Sequence, residues 1–255
     1  MSFASEKDLA PKTSTDLEGP RPVVRLTPKA EVRAIRHGFP WVYANEMVTD
    51  RRTRKLAAGS IAQLEDSGRT VLGVVAVNPA SKIIGRMLDR NPEAVIDQAW
   101  FAEKLKRALA HRARLYDQPY YRLVHAEADG LPGGVIDRFG DLAVVQPNAA
   151  WADRLIDPLV AALQEVTGVS RVVMNGTGRA RSLEGLEDRT EMVLGSVPLG
   201  PVPVPMNGAI YMADVMGGQK TGLFFDQREN HAFVANLSND ARVLDVFAHV
   251  GGFGL

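Results

Sequence analysis

Apolar residues between positions 21 and 92 fall in short alternating runs. Val23–Leu26, Gly59–Leu64, Val71–Asn78 and Lys82–Leu88 read as strands, parted by the turn signals Asp66-Ser67-Gly68 and Asn78-Pro79-Ala80. Lys29–Arg36, following Pro28 and ending before Gly38, reads as a short helix. Strands this short and this closely spaced predict a compact barrel. Residues 1–20 lack the apolar content to order themselves and read as a disordered tail.

The period then changes. Phe101, Leu105 and Leu109 recur at helical spacing within a helix expected over Asp97–Arg114, with Asp97 as its cap. Strands follow at Arg122–Glu127, Gly134–Asp137 and Leu142–Gln146. A helix over 150–167 is expected to end at Gly168, before strands at Arg171–Asn175 and Met192–Leu194. Strands on either side of a helix predict an α+β unit over 93–198. Asn207-Gly208 predicts a hairpin of Val204–Met206 with Ala209–Val215. A helical stretch is expected to about Asn236.

Arg242–Phe247 reads as a β-branched, apolar strand, and Val243–Phe247 is apolar on both faces, the signature of a central strand in a parallel sheet. Gly251 and Gly252 follow it, where a nucleotide-type cofactor would approach the backbone. We therefore expect 199–255 to hold a hairpin and the first strand of an incomplete Rossmann-like domain. The competing reading makes Val243–Leu255 an edge strand and tail of the preceding unit.

Charge sharpens this division. The chain of 255 residues is neutral, with 30 Lys+Arg against 30 Asp+Glu. Arg21–Lys55, however, carries nine basic residues against three acids, a local +6. A net +4 run spans Glu103–Arg122. There is no Cys, which excludes a disulfide framework, a zinc ribbon and a cysteine nucleophile within these residues. The five His show no metal-binding spacing, and no G-x-S-x-G hydrolase motif occurs. No apolar run of about 18 residues is present, and no signal peptide, so a cytoplasmic protein is expected.

Four stretches could carry chemistry. Arg36-His37-Gly38-Phe39-Pro40-Trp41-Val42-Tyr43 interleaves cations and rings, as RNA contact requires, although Trp41 could equally be barrel core. Asp129-Gly130-Leu131-Pro132-Gly133 with Asp137-Arg138-Phe139-Gly140-Asp141 is read as a tight hairpin before any acid–base pair. Gly217–Arg228 concentrates Lys220, Thr221, Asp226, Gln227 and Arg228 beside Phe224 and Phe225. Its bland reading is a turn, a buried aromatic pair and a helix capped by Asp226. It is not a P-loop, because the upstream strand and first glycine are missing. The fourth stretch is Asp245-x-Phe247-x-x-x-Gly251-Gly252-Phe253.

Taken in this order, the four stretches resemble the class I S-adenosylmethionine-dependent large-subunit rRNA methyltransferases of the type that makes 5-methylcytosine. The resemblance runs from about Pro22 to Leu255. It implies an RNA-binding PUA-like domain over 21–92, the central domain over 93–198, and the start of the methyltransferase domain over 199–255. It implies S-adenosyl-L-methionine as cofactor, contacted by Lys220, Thr221, Gly222, Phe224, Asp226, Arg228, Asp245, Phe247, Gly251, Gly252 and Phe253. It implies ribosomal RNA as partner, through Arg33, Arg36, His37 and Trp41, no membrane, and a homodimer. His249-Val250 departs from the Tyr-Thr commoner at this place, which leaves backbone contacts from the two glycines. The resemblance also implies a thiolate that attacks C6 of cytosine and activates C5. That nucleophile, the ribose-binding acid and an Asp-Pro-Pro loop are expected beyond Leu255, so the chain is expected to be inactive alone. The alternative is a non-catalytic RNA-binding protein or adaptor.

Overall fold

The computed structural model describes residues 21–218, 221–238 and 240–254. The tail expected over 1–20 lies outside them. Twelve strands are present among the described residues.

The first unit is a curled five-stranded sheet. Its strands are β1 (Val23–Arg25), β2 (Trp41–Val42), β3 (Ser60–Glu65), β4 (Val71–Val77) and β5 (Gly85–Asp89), in the order β1-β3-β4-β5-β2. β1 runs parallel to β3; the other pairings are antiparallel. The sheet curls back on itself where Leu26 bridges Met47. Thr27 N donates to Glu46 O and Val48 N to Arg25 O. Inward-facing Val24, Leu26, Val42, Leu64, Val75 and Val77 fill the interior.

Two expectations here are corrected. The helix expected over Lys29–Arg36 is only one turn, α1 (Val32–Arg36). Residues before it close smaller turns, with Ala30 N donating to Thr27 O and Val32 N to Ala30 O. The strand expected from Lys82 starts at Gly85, because Asn78–Ile84 is a loop closed by Asn78 N on Ile84 O. A short helix, α2 (Arg51–Arg54), went unforeseen. Asp50 caps it, accepting from Arg52 N and Thr53 N.

The second unit is a mixed sheet of β6 (Tyr120–His125), β7 (Gly134–Phe139), β8 (Leu142–Pro147), β9 (Arg171–Gly176) and β10 (Arg189–Leu194) in sequential order. Only β8 and β9 are parallel, joined by helical crossover. α3 (Gln98–Arg112) starts as expected, Asp97 accepting from Trp100 N. The helix expected over 150–167 is two: α4 (Ala150–Arg154) and α5 (Ile156–Thr167). Pro158 explains the break. It has no N–H for the carbonyl of Arg154 and its ring crowds that carbonyl, so the first helix ends there. α5 stops at Gly168, whose φ of 71° suits the left-handed cap. A further turn, α6 (Arg179–Leu183), precedes β10.

β8 is buried along its whole length, and its alternate residues feed two cores. Ala143 and Val145 pack with Phe101, Leu105, Leu159 and Leu163 of α3 and α5. Leu142 and Val144 face the opposite side, toward a hairpin of β11 (Val202–Met206) and β12 (Ala209–Ala213). The hairpin turns through Asn207 and Gly208, both at positive φ, as the Asn-Gly signal requires. α7 (Arg228–Leu237) follows. Its N-cap is Gln227 without a side-chain bond, so Asp226 is not the cap of the bland reading.

Arg242–Phe247 is not a strand. Its backbone pairs with no strand among the described residues. Leu244 is 86% exposed and Phe247 fully so. A strand exists only where a neighbour takes up its backbone N–H and C=O groups, and no neighbour stands here.

The two sheets are not independent. Val74, Ala76 and Leu88 of the first belong to the same core as Trp100, Phe101 and Trp151 of the second. Glu184, buried, ties them further. It accepts from Asn78 Nδ2 at 3.0 Å, Ser81 Oγ at 2.9 Å and Arg86 Nη2 at 2.9 Å. Gly59 abuts the start of α4, where a Cβ would stand 2.6 Å from the Ala150 carbonyl carbon.

Candidate functional site

The Gly217–Arg228 loop folds over the hairpin face of the central sheet. Its first turn is tied by Asp214, which accepts from Met216 N and Gly217 N. Gly222, at φ +91°, would place a Cβ 2.6 Å from Asp214 O, so the loop closes only around a glycine. Thr221 is fully buried and donates to Asp137 Oδ2 at 2.6 Å. Asp137, in the middle of β7, is also fully buried and accepts from Arg122 Nε and Nη2. Burial opposes the charge on Arg122, but the bonds to Asp137, its charge and that of Asp226 outweigh it and raise the guanidinium pKa.

Leu223 and Phe225 enter the core beneath, Phe225 lying 5.2 Å from Phe139. Asp226 is exposed at the rim. Arg228 is held inside the chain. Its guanidinium donates to Tyr120 O and lies 4.4 Å over the Tyr116 ring. Burial pulls its pKa down from the ordinary arginine value, with Tyr116 and Glu229 opposing.

The terminal segment returns to this same corner. Gly252 rests on the His231 ring, which leaves no room for a Cβ. Phe253 meets that ring edge-on at 4.5 Å, and Tyr211 stacks on it at 5.8 Å. Tyr211 Oη donates to Gly252 O at 3.4 Å. His249 meets Phe224 edge-on at 5.2 Å. Burial lowers the His231 pKa, with the Asp245 charge opposing. His231 Nδ1 and Asp245 Oδ2 are buried with no hydrogen-bond partner among the described residues.

The structure therefore gathers Thr221, Gly222, Phe224, Gly252 and Phe253 around the hairpin and α7. Phe247, at φ +63°, stands apart in solvent. Gly251 has φ +70° and open space around it. Lys220 lies outside the described residues. His231, Tyr211 and Arg122 were missed by sequence reasoning, and Asp137 was singled out but read as part of a tight hairpin. A lone His in a helix gave no spacing signal, and nothing local linked Asp137 to Thr221.

On the first unit, Arg33, Arg36 and His37 are exposed, with Arg36 3.0 Å from Asp66. Trp41 is half-buried. It is not barrel core; it faces the second unit, and its Nε1 donates to Glu127 Oε1 at 2.8 Å.

A family model described as a PUA-like domain matches residues 24–90. The chain is 35% identical over 247 residues to a ribosomal RNA large subunit methyltransferase of Deinococcus radiodurans, covering 92% of this chain and 59% of that protein. It is 33% identical over 230 residues to ribosomal RNA large subunit methyltransferase I of Aliivibrio fischeri, covering 89% and 58%. By these matches the chain is similar in sequence to ribosomal RNA large subunit methyltransferases. It spans under three-fifths of the length of these homologues. Its fold is shared with a putative SAM-dependent methyltransferase from Streptococcus mutans, at a TM-score of 0.70 and 17% identity, covering 84% of this chain and 54% of that one. It is shared equally with a putative methyltransferase complexed with SAH, at a TM-score of 0.68 and 17% identity, covering 86% and 54%. The first unit is thus PUA-like, and the second has an α+β fold with a mixed sheet. No helix among the described residues is long and apolar enough to cross a membrane.

Proposed function

We propose that this chain forms the RNA-binding and cofactor-adjoining part of an S-adenosylmethionine-dependent methyltransferase that acts at C5 of cytosine in large-subunit ribosomal RNA. The observation that carries the reading is the 35% identity extending over 92% of the chain. RNA binding is supported by the PUA-like match over 24–90 and by the exposed Arg33, Arg36 and His37.

The cofactor reading draws support from the shared fold of the SAH-bound protein. S-adenosylmethionine supplies an electrophilic methyl group when bound. The residues here fit it in part. Asp245 Oδ2, buried and unpartnered, and the open backbone at Gly251 suit a polar ligand. Gly252 is occupied by His231, and the hydroxyl of Thr221 by Asp137, so these two would act by holding the pocket wall.

Cytosine C5 is a poor nucleophile until a thiolate adds to C6. None of these 255 residues is Cys. The chain by itself is therefore proposed to bind RNA without methylating it. Isotope transfer from labelled S-adenosylmethionine to ribosomal RNA tests this. The expected result is no incorporation, together with RNA affinity that falls as salt rises. Incorporation above background would overturn the division of labour.

A further inference from the structure

Phe39, Trp41 and Tyr43 occupy alternate positions of one extended segment, so their rings share a face. Ring centroids are 6.0 Å apart for Phe39–Trp41, 6.3 Å for Phe39–Tyr43 and 6.4 Å for Trp41–Tyr43. Two of the three rings remain open to solvent: Phe39 is 40% and Tyr43 38% exposed. Trp41 is fixed from behind by its bond to Glu127, whose Oε1 also lies 3.7 Å from Arg86 Nη1.

Phe39 borders a cavity of about 300 Å³ at the seam between the two units. Pro40, Met87, Arg90, Gly130 and Pro132 line it with Phe39. The Arg90 guanidinium lies against Gly38, where a Cβ would stand 2.5 Å from Nη2. Gly38, at φ +108°, is required by its turn. Arg33 and Arg36 are exposed on the neighbouring helix α1.

We propose that this seam pocket seats one unpaired nucleotide of the RNA, its base on the face of Phe39 and its phosphate on Arg90. The proposal rests on the RNA-binding reading above and adds where, and in which form, the RNA is held. Base faces become available only when a nucleotide leaves its stack, so the pocket selects single-stranded RNA. The cavity has the volume of a small-ligand pocket and admits a base, not a duplex. The lining carries Arg90 and Lys104 against Asp89 and Glu127; Lys104 pairs with Asp89 at 3.3 Å and Glu127 is taken up by Trp41 and Arg86, so the exposed Arg90 is the charge a phosphate can meet. Trp41, with its edge bonded to Glu127, buttresses Phe39; Phe39 carries the base. Because Glu127, Gly130 and Pro132 come from the second unit, the first unit alone does not complete the site.

The test is fluorescence titration of the 255-residue chain with a short unstructured oligoribonucleotide and with a duplex of equal length. Trp100 and Trp151 are buried, so quenching reports on Trp41. The single strand is expected to quench and bind more tightly than the duplex. Phe39→Ala is expected to weaken single-strand binding by about 10-fold at unchanged salt slope, while Phe39→Tyr retains it. Arg90→Ala is expected to reduce the slope of log affinity against log salt by about 0.7. Phe39 is exposed, and an unchanged circular dichroism spectrum confirms that the variant folds. Wild-type affinity in Phe39→Ala overturns the pocket while the RNA-binding reading stands. Absence of any RNA binding by the wild-type chain at low salt overturns both.

Discussion

Thr221 and Asp137 stand 84 positions apart in the chain and 2.6 Å apart in space. This bond and the Arg122–Asp137 pair fix the glycine-rich loop to strand β7. Thr221→Val is expected to cost about 2 kcal/mol, the usual loss for a buried bond to a charged group. Chemical denaturation would measure it. The cleavage rate of the 217–228 loop under limited proteolysis is expected to rise with it. Asp137→Ala leaves the Arg122 guanidinium half-buried and unpaired and is expected to cost more, about 3–5 kcal/mol.

Glu184 holds the seam between the sheets. Burial disfavours its charge, but bonds from Asn78, Arg86 and Ser81 and the Arg86 charge outweigh that and hold its pKa below the ordinary 4.5. A lowered carboxylate contributes stability that is complete above the unfolded value and disappears as pH falls through the folded one. Glu184→Ala strands three donors and is expected to cost about 3–5 kcal/mol. Glu184→Gln is expected to flatten the fall of unfolding free energy as pH drops below 4.5 relative to wild type. Equal slopes for the two proteins would remove Glu184 from that titration.

Gly252→Ala puts a methyl group into the His231 ring. Hydrogen exchange over 245–254 is expected to accelerate, with overpacking of about 1–3 kcal/mol. His231→Ala opens the space, and the double variant is expected to lose less protection than the sum of the single changes.

His231 itself titrates below its ordinary 6.5, because burial favours the neutral ring. Its contribution is present above 6.5 and lost as pH falls through the folded value. Exchange over 245–254 is expected to quicken as pH falls below 6.5 in the wild type, and to be pH-independent in His231→Phe once intrinsic rates are divided out. A pH response that survives in His231→Phe would place the switch elsewhere.

The sequence was most informative where a periodic pattern met a local stop signal. Asp97 before α3, Gly168 after α5 and Asn207-Gly208 in the hairpin all lie where local chemistry placed them. It misled where the outcome depends on distant neighbours. Arg242–Phe247 has the composition of a buried strand, yet strand formation needs a partner backbone that local pattern does not encode. Pro158 was visible, but the apolar period across 150–167 masked its consequence. In the candidate site, Gly222 and Thr221 stood out by type. His231 and Glu184 did not, and Asp137 stood out without its role, because their importance comes from partners brought close only by folding.

The shared core and the Glu184 cluster leave no elbow between the two sheets. The span from the Phe39 pocket to the Thr221 loop is consequently a constant of the molecule. On the reading proposed above, an RNA strand anchored at one end would be measured off against the other as against a caliper, and a nucleotide would be chosen by its distance along the strand from the anchor, with no contact to the letters in between.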